Sequence, residues 1–201
     1  LHLPSGRAVV AGVAVGLTAW IPAYQLQSWQ QALFGTPSIA AENARALTAT
    51  IQQLTLGSAI ALLAAVPALC EEVLFRGFFM GSLRGSSRKW TAILGSAMVF
   101  GVFHFLLFKL AVTTALGIVL AYLCWQSRSI WPAVVSHFLH NAMGVLTVVR
   151  PGWFDWMGVS ADADTGGIPP GVFLFGGGVF AAGILLARRS IPITTRAELG
   201  A

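Results

Sequence analysis

The chain has 201 residues, of which 56% are apolar and only 9% charged, with a mean hydropathy of +0.77. Soluble domains carry about 25% charged residues, and twelve basic and seven acidic side chains are too few to clothe a soluble core of this size. The net charge of +5 does not point to nucleic acid, because basic residues on a membrane protein gather on its cytoplasmic loops.

The apolar residues fall in long runs parted by short polar interruptions, the pattern of an all-α polytopic transmembrane bundle. A crossing takes about 20 apolar residues, and about 17 suffice. Six segments come close enough, near residues 8–24, 56–82, 91–108, 110–126, 130–149 and 172–188. The first follows Arg7 as a signal peptide would. It lacks a small-x-small cleavage site, and equally apolar segments follow it, so it reads as a span. Between the first two spans lies a polar stretch, Gln25 to Gln53, whose later part, Ala40 to Thr55, is expected to form a helix. The chain reads as a single membrane domain. It begins at Leu1 rather than a methionine, so it is taken as a piece of a longer protein.

Lysine and arginine positions give an independent check. With a cytoplasmic amino terminus, six crossings return the carboxyl terminus to the same side. Arg7, Arg84, Arg88, Lys89, Arg128, Arg188, Arg189 and Arg196 then lie inside, and only Arg45, Lys109 and Arg150 outside. That asymmetry obeys the positive-inside rule. The expected location is a bacterial cytoplasmic membrane, with both ends of this segment cytoplasmic. The turn at Phe108-Lys109-Leu110 must be very tight.

Gly12-x-x-x-Gly16, and Gly176-Gly177-Gly178 with Gly183, permit close helix approach. Pro22 and Pro67 are expected to kink their helices. Trp20, Trp29, Trp90, Trp125, Trp131, Trp153 and Trp156 lie near predicted ends, as an interfacial belt requires. Cys70 and Cys124 show no ligand or disulfide spacing.

Charged and polar residues within the spans carry the chemistry. Glu71, Glu72 and Arg76 sit in the second span, where each charge costs at least ~2.5 kcal/mol. Glu72 and Arg76 share a helical face and can neutralise each other. Glu71 is rotated about 100° away and meets Phe75 one turn on. An unpaired carboxyl in a low dielectric suits general acid–base chemistry near neutral pH. In the third span Phe100 and His104 share a face; in the fifth, His137 and Asn141 do. His140 could border the same site. At about 1.5 Å per residue, Glu71, His104 and His137 lie ~16, ~20 and ~10 Å from the cytoplasmic end. One cavity in the cytoplasmic half or near the midplane could therefore hold all three.

The motifs Glu-Glu-x-x-x-Arg at 71–76, Phe-x-x-x-His at 100–104 and His-x-x-x-Asn at 137–141 resemble, in order and setting, those of the CAAX protease and bacteriocin-processing family, also called the Abi family. That family includes prenyl-protein endopeptidases, and the resemblance covers about residues 54–149, the expected catalytic core. It implies a helical bundle enclosing an intramembrane endopeptidase site. Glu71 then corresponds to the general base, His104 to a residue holding water, and His137 with Asn141 to the oxyanion-stabilising pair. Glu72 and Arg76 correspond to a supporting ion pair, with Phe100 beside them. No nucleophilic Ser or Cys, metal or other cofactor is implied. The implied partners are the lipid bilayer and a peptide or membrane-protein substrate, with fusion to or association with a membrane transporter module also open.

Cys70 is set aside as a nucleophile because an apolar setting disfavours the thiolate. Asp162 and Asp164 read as solvated loop carboxylates. No HExxH helix or Gly-x-Ser-x-Gly elbow is present. Two alternatives stay open: Glu71, His104 and His137 as ligands of a catalytic zinc, and a non-catalytic membrane subunit of a transport or immunity system.

Overall fold

The computed structural model describes residues 3–104, 107–155 and 168–190. Among these, the long elements are all helices: α1 Gly6–Phe34, α2 Ser38–Gln52, α3 Leu56–Arg84, α4 Lys89–Phe103, α5 Leu110–Ser127, α6 Trp131–Val149 and α7 Pro170–Arg188. The described residues contain no strand.

Local chemistry sets the helix ends. The Ser5 hydroxyl accepts from the Ala8 amide at the start of α1, and Thr55 does the same for Ser58 at the start of α3, each satisfying an otherwise orphaned donor. Gly35 ends α1 at φ 70°, and Arg128 ends α5 at φ 51°, the left-handed region that terminates helices. The tight link expected around Lys109 is a 3₁₀ turn, Leu107–Lys109, and the Gln30 side chain of α1 donates to the Phe108 carbonyl within it.

Two helices depart from regular α geometry. In α1, helices Gly6–Thr18 and Trp20–Phe34 join through a turn at Ala19, three residues before Pro22. In α3, π-helical turns occupy Ala61–Ala65 and Val73–Phe79. The first stands just ahead of Pro67, whose missing N–H would otherwise break the ladder. The second begins immediately after Glu72 and contains Arg76; π turns inside α-helices are frequent at functional sites.

Among the described residues, five helices, α1, α3, α5, α6 and α7, are long and apolar enough to cross a membrane. The third expected span, near 91–108, is shorter than the sequence suggested. Its helix, α4, has 15 residues, about 22 Å at 1.5 Å per residue, against ~30 Å of hydrocarbon. It stops at Phe103 because His104 turns back: its amide bonds the Gly101 carbonyl and its ring bonds that of Phe100. The first span, conversely, continues as helix ten residues past its apolar run. The helix expected at 40–55 is α2.

Glycines let the bundle close. A Cβ on Gly12 would stand 2.6 Å from the Pro132 carbonyl oxygen, and one on Gly16 2.7 Å from that of Ser136, so α1 lies parallel and tight against α6. Gly183 meets Val15 and Gly176 meets Ile21, seating α7 antiparallel on α1. Gly117 of α5 faces Ala97, and Gly101 of α4 faces Thr114, making α4 and α5 antiparallel. Dispersion between closely approaching backbones is the main attraction available to helices in lipid. Trp20 is a correction to the expected interfacial belt: it is buried, packed edge-on against Phe154.

Three of the basic residues expected on one side, Arg84, Lys89 and Arg188, meet at one end of the bundle. Arg84 donates to the Cys124 carbonyl, and Lys89 to Gln126, which in turn donates to the Arg188 carbonyl. These contacts bring the ends of α3, α5 and α7 and the start of α4 to one end of the bundle. Arg196, Asp162, Asp164 and Trp156 lie outside the described residues.

Candidate active site

The centre of the bundle holds a buried charge network. Arg76 Nη1 donates to Glu72 Oε1 at 2.8 Å, and Arg76 Nη2 donates to the Gly117 carbonyl at 3.0 Å. Both side chains are wholly inaccessible. The helical spacing predicted this pair. It did not predict a third member: His137 Nδ1 lies 2.9 Å from the same Glu72 oxygen. A carboxylate oxygen accepts, so Nδ1 carries the proton, and the other ring nitrogen, Nε2, is the one turned to the site.

That nitrogen stands 3.9 Å from Glu71 Oε2. The two glutamates therefore flank one imidazole from opposite sides. Glu72 is sealed, whereas the Glu71 side chain keeps 31% of its exposure; Oε2 of each has no hydrogen-bond partner among the described residues. Glu72 is matched by Arg76; Glu71 is not.

His104 is fixed by the bond that ends α4. Its Nδ1 lies 2.8 Å from the Phe100 carbonyl oxygen. A carbonyl can only accept, so here too Nδ1 is the donor, and Nε2 is the nitrogen left free of that bond. Phe100 joins the parts. The Arg76 guanidinium lies 4.4 Å above its ring, and the ring centroids of His104 and His137 are 4.7 and 5.8 Å away. One buried phenyl thus supports the cation and both imidazoles.

Glu71, His104, His137 and Asn141 all line one cavity of about 580 Å³, with Phe100 in its wall. His140 also lines it, as the spacing allowed. Sequence reasoning missed the other walls: Trp20, Tyr24 and Gln27 of α1 and Thr48 and Gln52 of α2. Nothing in their local pattern sets them apart from packing residues. The cavity also reaches Lys109 and Pro151, which lie at the end of the bundle away from Arg84, Lys89 and Arg188. The cavity thus runs from the middle of the bundle, the depth expected for the meeting of Glu71, His104 and His137, toward the end opposite the basic cluster.

Among the described residues, no three His, Cys, Asp or Glu side chains are grouped as ligands for a metal ion. Cys70 and Cys124 are free thiols, the first exposed and the second buried.

Residues 53–143 match the family described as Type II CAAX prenyl endopeptidase Rce1-like. Over 110 residues, 55% of its length, the chain is 30% identical to a Bacillus subtilis (strain 168) protein named "Putative membrane peptidase YdiL", and it spans 44% of that relative. No solved structure matches the chain. The segment similar to that family carries Glu71, Glu72, Arg76, Phe100, His104, His137 and Asn141, so the charged centre of this membrane protein lies wholly within the stretch that resembles the Rce1-like endopeptidases.

Proposed function

We propose that this protein is an intramembrane endopeptidase that cleaves a peptide bond with a water activated by Glu71 and His104. The observation that carries the reading is the contrast between its two glutamates. Glu72 is sealed and bound through Oε1 to Arg76 and His137, while Glu71 has no cation at hydrogen-bond distance, stays partly exposed and lines the cavity. A water touching Glu71 and His104 Nε2 can lose its proton to Glu71 as its oxygen bonds the peptide carbonyl carbon. The developing oxyanion takes a hydrogen bond from the Asn141 amide and from His137 Nε2, which for that role carries a second proton. The proton held by Glu71 then passes to the amine as the C–N bond breaks. Glu72 orients His137, and Arg76 balances the charge of Glu72. The chemistry calls on these side chains alone, without a metal.

The substrate class is a peptide or membrane-protein segment able to enter a cavity walled by Trp20, Phe154 and other largely apolar side chains. The end rich in Arg84, Lys89, Arg128 and Arg188 is assigned to the cytoplasm, so the start of α1 and the end of α7 are cytoplasmic. The cavity then opens toward the opposite face.

The test compares membrane-peptide profiles from cells producing wild-type protein or Glu71→Gln. Products present only with the wild type support the reading. They should also form when purified protein is treated with chelator. Identical profiles point to a non-catalytic subunit, and loss of cleavage on chelation to zinc chemistry.

A further inference from the structure

A second recess lies on the outer surface, at the basic end and away from the site. It is a groove of about 660 Å³ between α4, α5 and α7. Its head is cationic and aromatic, and its length is greasy. Lys89 and Arg188 both line it. The Lys89 ammonium lies 4.8 Å from the Tyr122 ring centroid and 5.4 Å from that of Trp90, and the two rings stack 6.2 Å apart at 21°. Below them Ile184 and Leu185 continue the groove along the helices.

The polar groups are arranged for an anion. Lys89 Nζ donates to Gln126 Oε1 at 2.8 Å, which uses one of its three donors. Gln126 is itself held by the Arg188 carbonyl, so the lysine is positioned rather than loose. The Arg188 guanidinium has no hydrogen-bond or ion-pair partner among the described residues. The described carboxylates, Glu42, Glu71, Glu72 and Asp155, all lie elsewhere in the chain. Two cations share a groove with no described carboxylate among its lining residues, beside the apolar side chains of Phe180, Ile184 and Leu185. Basic recesses between helices at this depth suit phospholipid headgroups, with an amphipathic tryptophan at the same level.

The geometry points to a binding site for one anionic phospholipid, its phosphate between Lys89 and Arg188 and an acyl chain along Ile184 and Leu185. The site is independent of the proposed peptidase chemistry.

The test reconstitutes the full chain in vesicles of phosphatidylcholine with 20% phosphatidylglycerol (about one lipid in five) and counts lipids retained by native mass spectrometry after extraction. Wild-type protein should keep phosphatidylglycerol in preference to phosphatidylcholine. Lys89→Gln and Arg188→Gln should each lower retention about fivefold, as the loss of one surface cation implies. Leu185→Trp, which fills the channel without touching charge, should lower it too. Arg128→Gln, at the same end outside the groove, should leave it unchanged, and 10 mM inorganic phosphate (roughly a thousandfold excess over protein) should not displace the lipid. Equal retention of both lipids, an equal loss in Arg128→Gln, or full retention in Leu185→Trp would each overturn the site. Displacement by phosphate would make it a free-anion site and overturn the lipid assignment.

Discussion

His137 Nδ1 and Glu72 Oε1 meet at 2.9 Å across 65 residues of sequence, on a carboxylate that is completely buried and shared with Arg76. This contact links the structural ion pair to the cavity, because it fixes which imidazole nitrogen faces Glu71. Removing either end of the network should therefore do two different things. Arg76→Met leaves a buried carboxylate without its cation and should cost roughly 3–5 kcal/mol, read as thermal unfolding in detergent. Glu72→Gln keeps the shape, should cost less stability, and should still lower cleavage sharply because His137 loses its charged acceptor.

Phe100 should be sensitive out of proportion to its chemistry. Its ring packs on Arg76, His104 and His137 together, so Phe100→Ala should cost about 3–5 kcal/mol. Phe100→Tyr keeps the ring but brings a hydroxyl into a buried site. It should retain most of the stability only where that hydroxyl finds a partner.

Asn141 offers a cleaner separation of binding from chemistry. Asn141→Ala should lower kcat by about 10²–10³ with KM little changed, the signature of an interaction made in the transition state. A rise in KM alone would place Asn141 in substrate binding instead.

Gly16 tests whether packing at a distance sets the site. Its missing side chain admits the backbone of Ser136, the residue before His137. Gly16→Val should drive α1 from α6, cost about 1–3 kcal/mol through overpacking, and reduce cleavage with it. Gly6→Ala, with nothing within 4 Å, should change neither.

Much of this was written in local patterns. The Glu72–Arg76 pair, the separate face of Glu71 and the shared faces of Phe100 with His104 and His137 with Asn141 follow from helical periodicity. Of the small residues expected at helix contacts, Gly12, Gly16, Gly176 and Gly183 mark them, whereas Gly177 and Gly178 face open space. What periodicity could not show was anything depending on how helices are set side by side. The Glu72–His137 bond, the walls supplied by Trp20, Tyr24, Thr48 and Gln52, and the direction in which the cavity runs all arise from three-dimensional register. The end of α4 was missed for a local reason: an apolar run through Phe108 hides a ring that bonds its own backbone at Phe100. Apolarity marks what can sit in lipid, and the hydrogen bond decides where the helix stops.

The central claim is that Glu71 does the work its buried neighbour cannot. The most direct measurement is the cleavage rate of purified Glu71→Gln protein in lipid vesicles, beside wild type, on a membrane peptide the wild type cuts. The substitution removes a charge and keeps the shape, so the thermal transition should stay close to that of wild type while cleavage falls by at least about 10². Cleavage at the wild-type rate by a folded Glu71→Gln protein would contradict the account.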